Sequence, residues 1–186
     1  MIINIHGFTG HGANSKYDWL KANVPDQEIV APDLDYVATP PEEILKTLSN
    51  LVGSAIATPT VQELFVLGSS LGGFFARLLN IIYPLVPTIL INPTLCPFIP
   101  LRGLIDDKAY LALFARLTFQ DDANPPQGLH VIVGKADDLI DHAHLTKPLL
   151  PPNLKTYYEI PGGVHRLVLT EEVGAILRSI LFSKSG

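Results

Sequence analysis

The chain has 186 residues, 47% of them apolar and 17% charged, enough to bury one core as a single domain without disulfide or metal support. Its net charge of −5, with no basic cluster, argues against a nucleic-acid partner, and a lone cysteine, Cys96, excludes an internal disulfide and fits a reducing compartment. The longest apolar stretch, near 81–91, is cut by Pro84 and Pro87 and too short for membrane insertion, and Met1 leads into no signal-peptide pattern, so a cytoplasmic location is expected.

Apolar β-type runs alternate with helical patterns along the whole chain, which predicts an α/β fold with a parallel sheet covered on both faces. The first strand, 2–5, leads into His6-Gly7-Phe8, the kind of loop whose Phe8 amide can donate to an oxyanion. His6 itself is expected to brace that loop. The continuation Gly7-Phe8-Thr9-Gly10-His11-Gly12, with Asp33 downstream, has the reverse of the dinucleotide-binding spacing. It therefore specifies no pyrophosphate turn, and Asp33 is read as a support for the loop. Helix 14–22 and strand 28–31 come next, then helix 41–56, started by Thr39-Pro40-Pro41-Glu42-Glu43.

Strand 63–67 runs into Gly68-Ser69-Ser70-Leu71-Gly72 and helix 71–82. A G-x-S-x-G sequence between a strand and a helix has the form of a nucleophile elbow, with Ser70 raised at the apex and Ser69 a packing neighbour. The helix N-terminus offers the Leu71 amide, the second expected oxyanion donor, and partial positive charge. On its own the pentapeptide equally fits a small-residue turn, so the rest of the chain must supply an acid and a histidine in that order.

Strand 87–91 precedes an irregular region, 93–128, holding helix 105–118. That helix reads either as core-facing or as a small cap whose Phe114 faces an acyl pocket. Strand 129–133 opens into Gly134-Lys135-Ala136-Asp137-Asp138, and Asp137, three residues after the glycine, is preferred over Asp138 and Asp141 as the acid. Asp138 is assigned a helix-capping part, for a short helix at 141–146. His142 and His144 lack a further metal ligand at a recognised spacing and are read as solvated. Strand 155–160 ends in Gly162-Gly163-Val164-His165, which puts His165 at the same sheet edge as Ser70, before a last helix at 171–182.

With His6-Gly7-Phe8, Leu67 to Ala76, Ile91-Asn92-Pro93, the Asp137 loop and Gly162 to His165 together, the chain resembles the α/β-hydrolase superfamily. Within it, the chain resembles small bacterial esterases of the YqiA type, and more weakly the retinoblastoma-binding-protein-9 type. The resemblance implies a minimal α/β-hydrolase sandwich of about six parallel strands, in the order 2-1-3-4-5-6. It also implies a Ser70–His165–Asp137 triad that hydrolyses small carboxylic esters or thioesters without a cofactor. This chain departs from that group by a shorter 93–128 region and by Cys96 where the family tends to have arginine. Acyl transfer by the same residues and non-catalytic partner binding on the same fold are the alternatives. Substrate, acyl-chain length and oligomeric state are left open by the sequence.

Overall fold

The computed structural model describes residues 1–118 and 127–182. Six strands form one sheet: β1 (Ile2–Ile5), β2 (Ile29–Val30), β3 (Phe65–Ser69), β4 (Thr88–Ile91), β5 (Leu129–Gly134) and β6 (Thr156–Ile160). Every pairing is parallel and the order is β2-β1-β3-β4-β5-β6, as the resemblance implies. The helices are α1 (Ser15–Asn23), α2 (Pro41–Ile56), α3 (Leu71–Ile82), α4 (Asp107–Thr118), α5 (His142–Leu145) and α6 (Glu171–Leu181), with a 3₁₀ turn at Lys147–Leu149.

Strand side chains alternate between two cores. Ile3, Ile5, Val66, Leu90, Val131 and Val133 pack under α2, α3 and α4. Ile2, Phe65, Leu67, Ile89, Ile91 and Ile132 face the other way, onto α1 and α6. Both faces of β1, β3, β4 and β5 are thus dry, which explains why their sequences are continuously apolar instead of alternating. Because all strands run parallel, the segments leaving their C-terminal ends gather on one edge, and the candidate residues follow β1, β3, β5 and β6.

The start of α2 follows its sequence signal: Pro41 opens the helix and Glu42 and Glu43 occupy the first turn, beside the positive end of its dipole. Strand β3 runs two residues past its expected end, with Gly68 paired to Leu90 and Ser69 to Ile91. Helix α4 buries Tyr110, Leu113 and Leu117 in the α2–α3 core, the core-facing alternative, while Phe114 meets Phe98 edge to face at 5.1 Å. Among the described residues no helix is long and apolar enough to cross a membrane.

Candidate active site

Ser70 sits between β3 and α3 with φ 52° and ψ −122°, a left-handed backbone that costs a non-glycine residue about 1–3 kcal/mol. The flanking glycines allow the turn through close approach. A Cβ at Gly68 would lie 2.4 Å from the Gly72 carbonyl oxygen, and one at Gly72 would lie 2.3 Å from the Ile5 carbonyl oxygen. The first turn of α3 is therefore pressed against the end of β1. The β1 loop meets Ser70 from the same side, where a Cβ at Gly7 would come within 3.0 Å of the Ser70 Cβ. Neither the Phe8 nor the Leu71 amide has an acceptor among the described hydrogen bonds, and Leu71 is the first residue of α3, where helical N–H groups go unpaired.

The loop after β1 is braced as expected. His6 Nδ1 donates to the Gly7 carbonyl at 2.7 Å and its Nε2 accepts from the Leu34 amide at 2.9 Å, so both ring nitrogens are engaged and the ring is neutral. Asp33 accepts from the Gly12 amide at 2.6 Å, which ties the far end of the same loop to the segment after β2.

His165 Nε2 lies 2.9 Å from Ser70 Oγ, and its Nδ1 lies 2.9 Å from Asp137 Oδ2. The structure thus brings Ser70, His165 and Asp137 into one line of hydrogen bonds. The Asp137 side chain is 1% exposed and that of His165 12%. Burial pushes the Asp137 carboxyl up, but the Leu139 amide, His165 and the Ile140 amide outweigh it and hold it below the ordinary carboxylate range. The acid is ionised near neutrality. Asp138 does not cap a helix: its carboxylate accepts from the His165 amide at 3.3 Å, and the α5 cap is Asp141, whose side chain also pairs with the exposed His144. A residue at N-cap position must immediately precede the helix, and α5 begins one residue later than the expected 141.

Two side chains at this site have roles that the sequence reading missed. His142 is buried, not solvated. Its Nε2 lies 2.9 Å from the same Asp137 Oδ2 that faces His165, and its Nδ1 lies 2.8 Å from Thr146 Oγ1. A lone pair on Nε2 would confront the carboxylate, so the neutral ring carries its proton there and accepts from Thr146 at Nδ1. Asn92, also left-handed at φ 43°, is 1% exposed. Its Nδ2 donates to the Val164 and His165 carbonyls at 2.9 and 2.8 Å, and its Oδ1 accepts from the Gly134 amide at 2.7 Å. One side chain therefore pins the loops that carry both His165 and Asp137. Its signal was the Asn-Pro pair, which by itself marks only a turn.

The burial of His142 has a consequence for stability. Burial lowers its pKa from the ordinary 6.5, against the opposing pull of Asp137. Below pH 6.5 the unfolded chain therefore binds the proton that the folded one refuses, and stability falls with pH until the folded-state pKa is passed. His130, held down by burial and then by Lys155, adds a slope of the same sign. In urea unfolding, His142→Gln should flatten this slope by up to about 1.4 kcal/mol per pH unit and leave the His130 part. An unchanged slope would mean that His142 takes up its proton equally in the folded and unfolded protein, against the burial argument.

Ser70 and His165 open onto a cleft of about 800 Å³. Its apolar wall comes from Leu101, Leu104, Leu139 and Ile140, whereas Phe114 does not line it. The cap expectation thus moves from α4 to the segment preceding it.

A model of the uncharacterised protein family UPF0227 matches residues 1–151, which takes in Ser70 and Asp137 and stops before His165. Among solved structures, Est1E from Butyrivibrio proteoclasticus superposes with a TM-score of 0.74 at 17% identity, covering 97% of this chain and 86% of that one. An esterase of Pyrococcus furiosus gives a TM-score of 0.70 at 16% identity, over 100% of this chain and 81% of its own. The monoacylglycerol lipase of Paleococcus ferrophilus gives 0.66 at 16% identity, over 97% and 93%. Such identities speak to the fold, and the family match speaks to descent: the chain belongs to the UPF0227 family, built on the α/β-hydrolase fold.

Proposed function

We propose that this protein is a serine hydrolase of carboxylic esters or thioesters, with Ser70 as nucleophile, His165 as general base and Asp137 as the acid that orients it. The observation that carries the proposal is the continuous hydrogen-bond line from Ser70 Oγ through both nitrogens of His165 to an ionised, buried Asp137. Ser70 Oγ attacks the acyl carbonyl carbon while its proton passes to His165 Nε2. The oxygen that gains charge is received by the Phe8 and Leu71 amides, and each such donor typically contributes about 3 kcal/mol to the transition state. As the tetrahedral intermediate collapses, His165 returns the proton to the leaving oxygen or sulfur and an acyl-enzyme remains. Water, deprotonated by His165, then attacks the acyl carbon and releases the acid and free Ser70. The esterase and lipase identities of the structural neighbours agree with this reading.

A fluorophosphonate probe should label the folded protein at Ser70, located by mass spectrometry of the modified peptide, and should leave Ser70→Ala unlabelled. Absence of label from folded wild-type protein would rule the mechanism out.

A further inference from the structure

The cleft beside Ser70 carries charge of one sign. In a chain of net charge −5, no Asp or Glu lines it, while Lys16 and Arg166 do. Lys16, the second residue of α1, extends across the cleft wall and donates from Nζ to the Leu167 carbonyl at 3.3 Å, two residues past His165. Arg166 stands next to His165 in sequence. Neither cation belongs to any ion pair among the described residues. Lys16 is half-buried, and burial first and the charge of Arg166 second push its ammonium below its ordinary value. Holding a partly desolvated ammonium near a second cation, with no described carboxylate within ion-pair distance of either, is unfavourable. The partial positive charge at the α1 N-terminus, also at this wall, adds to the field. Leu101, Leu104 and Leu139 line the same cleft, the last two exposed despite their size.

We infer that the cleft contains an anion-binding subsite, formed by Lys16 and Arg166, and that the preferred substrate is an ester or thioester bearing a carboxylate or phosphate in addition to the scissile bond. The inference rests on the hydrolase reading above. The anion supplies the missing counter-charge to both cations, and the apolar remainder of the substrate covers Leu101 and Leu104. The anion can belong to the acyl part or to the leaving group, and these sources are separable by experiment.

Two matched pairs test this. The first is p-nitrophenyl hexanoate against the mono-p-nitrophenyl ester of adipic acid, which places a carboxylate on the acyl part. The second is the hexanoyl ester of butane-1,4-diol against that of its monophosphate, which places the anion on the leaving group. In wild-type protein at low salt, kcat/KM for the charged member should exceed that of its neutral partner roughly ten-fold in at least one pair. The ratio should shrink toward one in about 0.5 M salt, where exposed charges are screened. The Lys16→Gln/Arg166→Gln double variant should bring it to one, and Lys16→Arg/Arg166→Lys should retain it. A merely structural role for Lys16 would alter both members of a pair alike. Turnover of the neutral esters with ratios of one in both pairs would overturn the subsite and leave the hydrolase standing, as would a ratio that survives the double variant. No turnover of any of the four esters, with no fluorophosphonate label at Ser70, would overturn the hydrolase reading itself.

Discussion

Asp137→Asn should leave the sheet folded and lower kcat by about ten-thousand-fold, the scale set by this change in serine proteases. The side chain has two oxygens with different duties. Oδ1 accepts from the Leu139 and Ile140 amides and lies 3.2 Å from His165 Nδ1, whereas Oδ2 is the nearer oxygen to His165 and also faces His142, at 2.9 Å from each. An asparagine keeps its oxygen toward the two amides and turns its NH₂ toward the two rings. The NH₂, at the position nearer to His165, favours the tautomer with a lone pair at Nδ1 and the proton at Nε2, facing Ser70, where it can no longer accept. His142 is driven to the matching switch, with its proton moving to Nδ1 and on toward Thr146. Circular dichroism and urea unfolding should show a native-like fold alongside the lost turnover. If Asp138→Asn costs more rate than Asp137→Asn, the acid has been misassigned.

The second large effect is expected at Asn92. Asn92→Ala removes all three side-chain bonds and strands the buried Gly134 amide, at about 1–3 kcal/mol, while the His165 carbonyl keeps the Leu167 amide as a donor and the Val164 carbonyl belongs to an exposed residue. Alanine also fits the left-handed backbone at φ 43° less well than asparagine does. A loss of roughly 1–3 kcal/mol in urea unfolding is expected, together with a fall in kcat as the His165 loop relaxes. Asn92→Gly separates the two causes, since glycine accepts the backbone angle but makes none of the bonds. A folded Asn92→Gly protein with wild-type kcat would show that this side chain holds the sheet edge together without positioning His165.

Long elements and the elbow were readable because local signals and tertiary demands agree there. The bounds of α2 and α3 coincide with those read from the Pro-Glu-Glu start and the G-x-S-x-G turn. Strand β3 is expected two residues too early, because Gly68 and Ser69 have poor strand propensity, and pairing with Leu90 and Ile91 overrides it. That Ser70, His165 and Asp137 meet was readable because parallel strands deliver their ends to one edge in a fixed order. His142 was not. Asp141, His142 and His144 look like one polar turn, and only the direction in which the single turn of α5 packs decides that His142 points at Asp137 while His144 points to solvent. Asn92 was similarly hidden, since its three partners lie 42 to 73 residues away in the chain.

The left-handed backbone at Ser70 also says something about what this turn has been selected for. A chain tuned for folding alone would place glycine there, since glycine adopts φ 52° without steric penalty. Serine at the apex keeps the protein below the stability its own backbone would permit, and its hydroxyl goes to His165 instead of capping α3. On the proposed hydrolase reading, stability is traded here for the placement of one oxygen atom, a trade that a turn without chemistry has no reason to make.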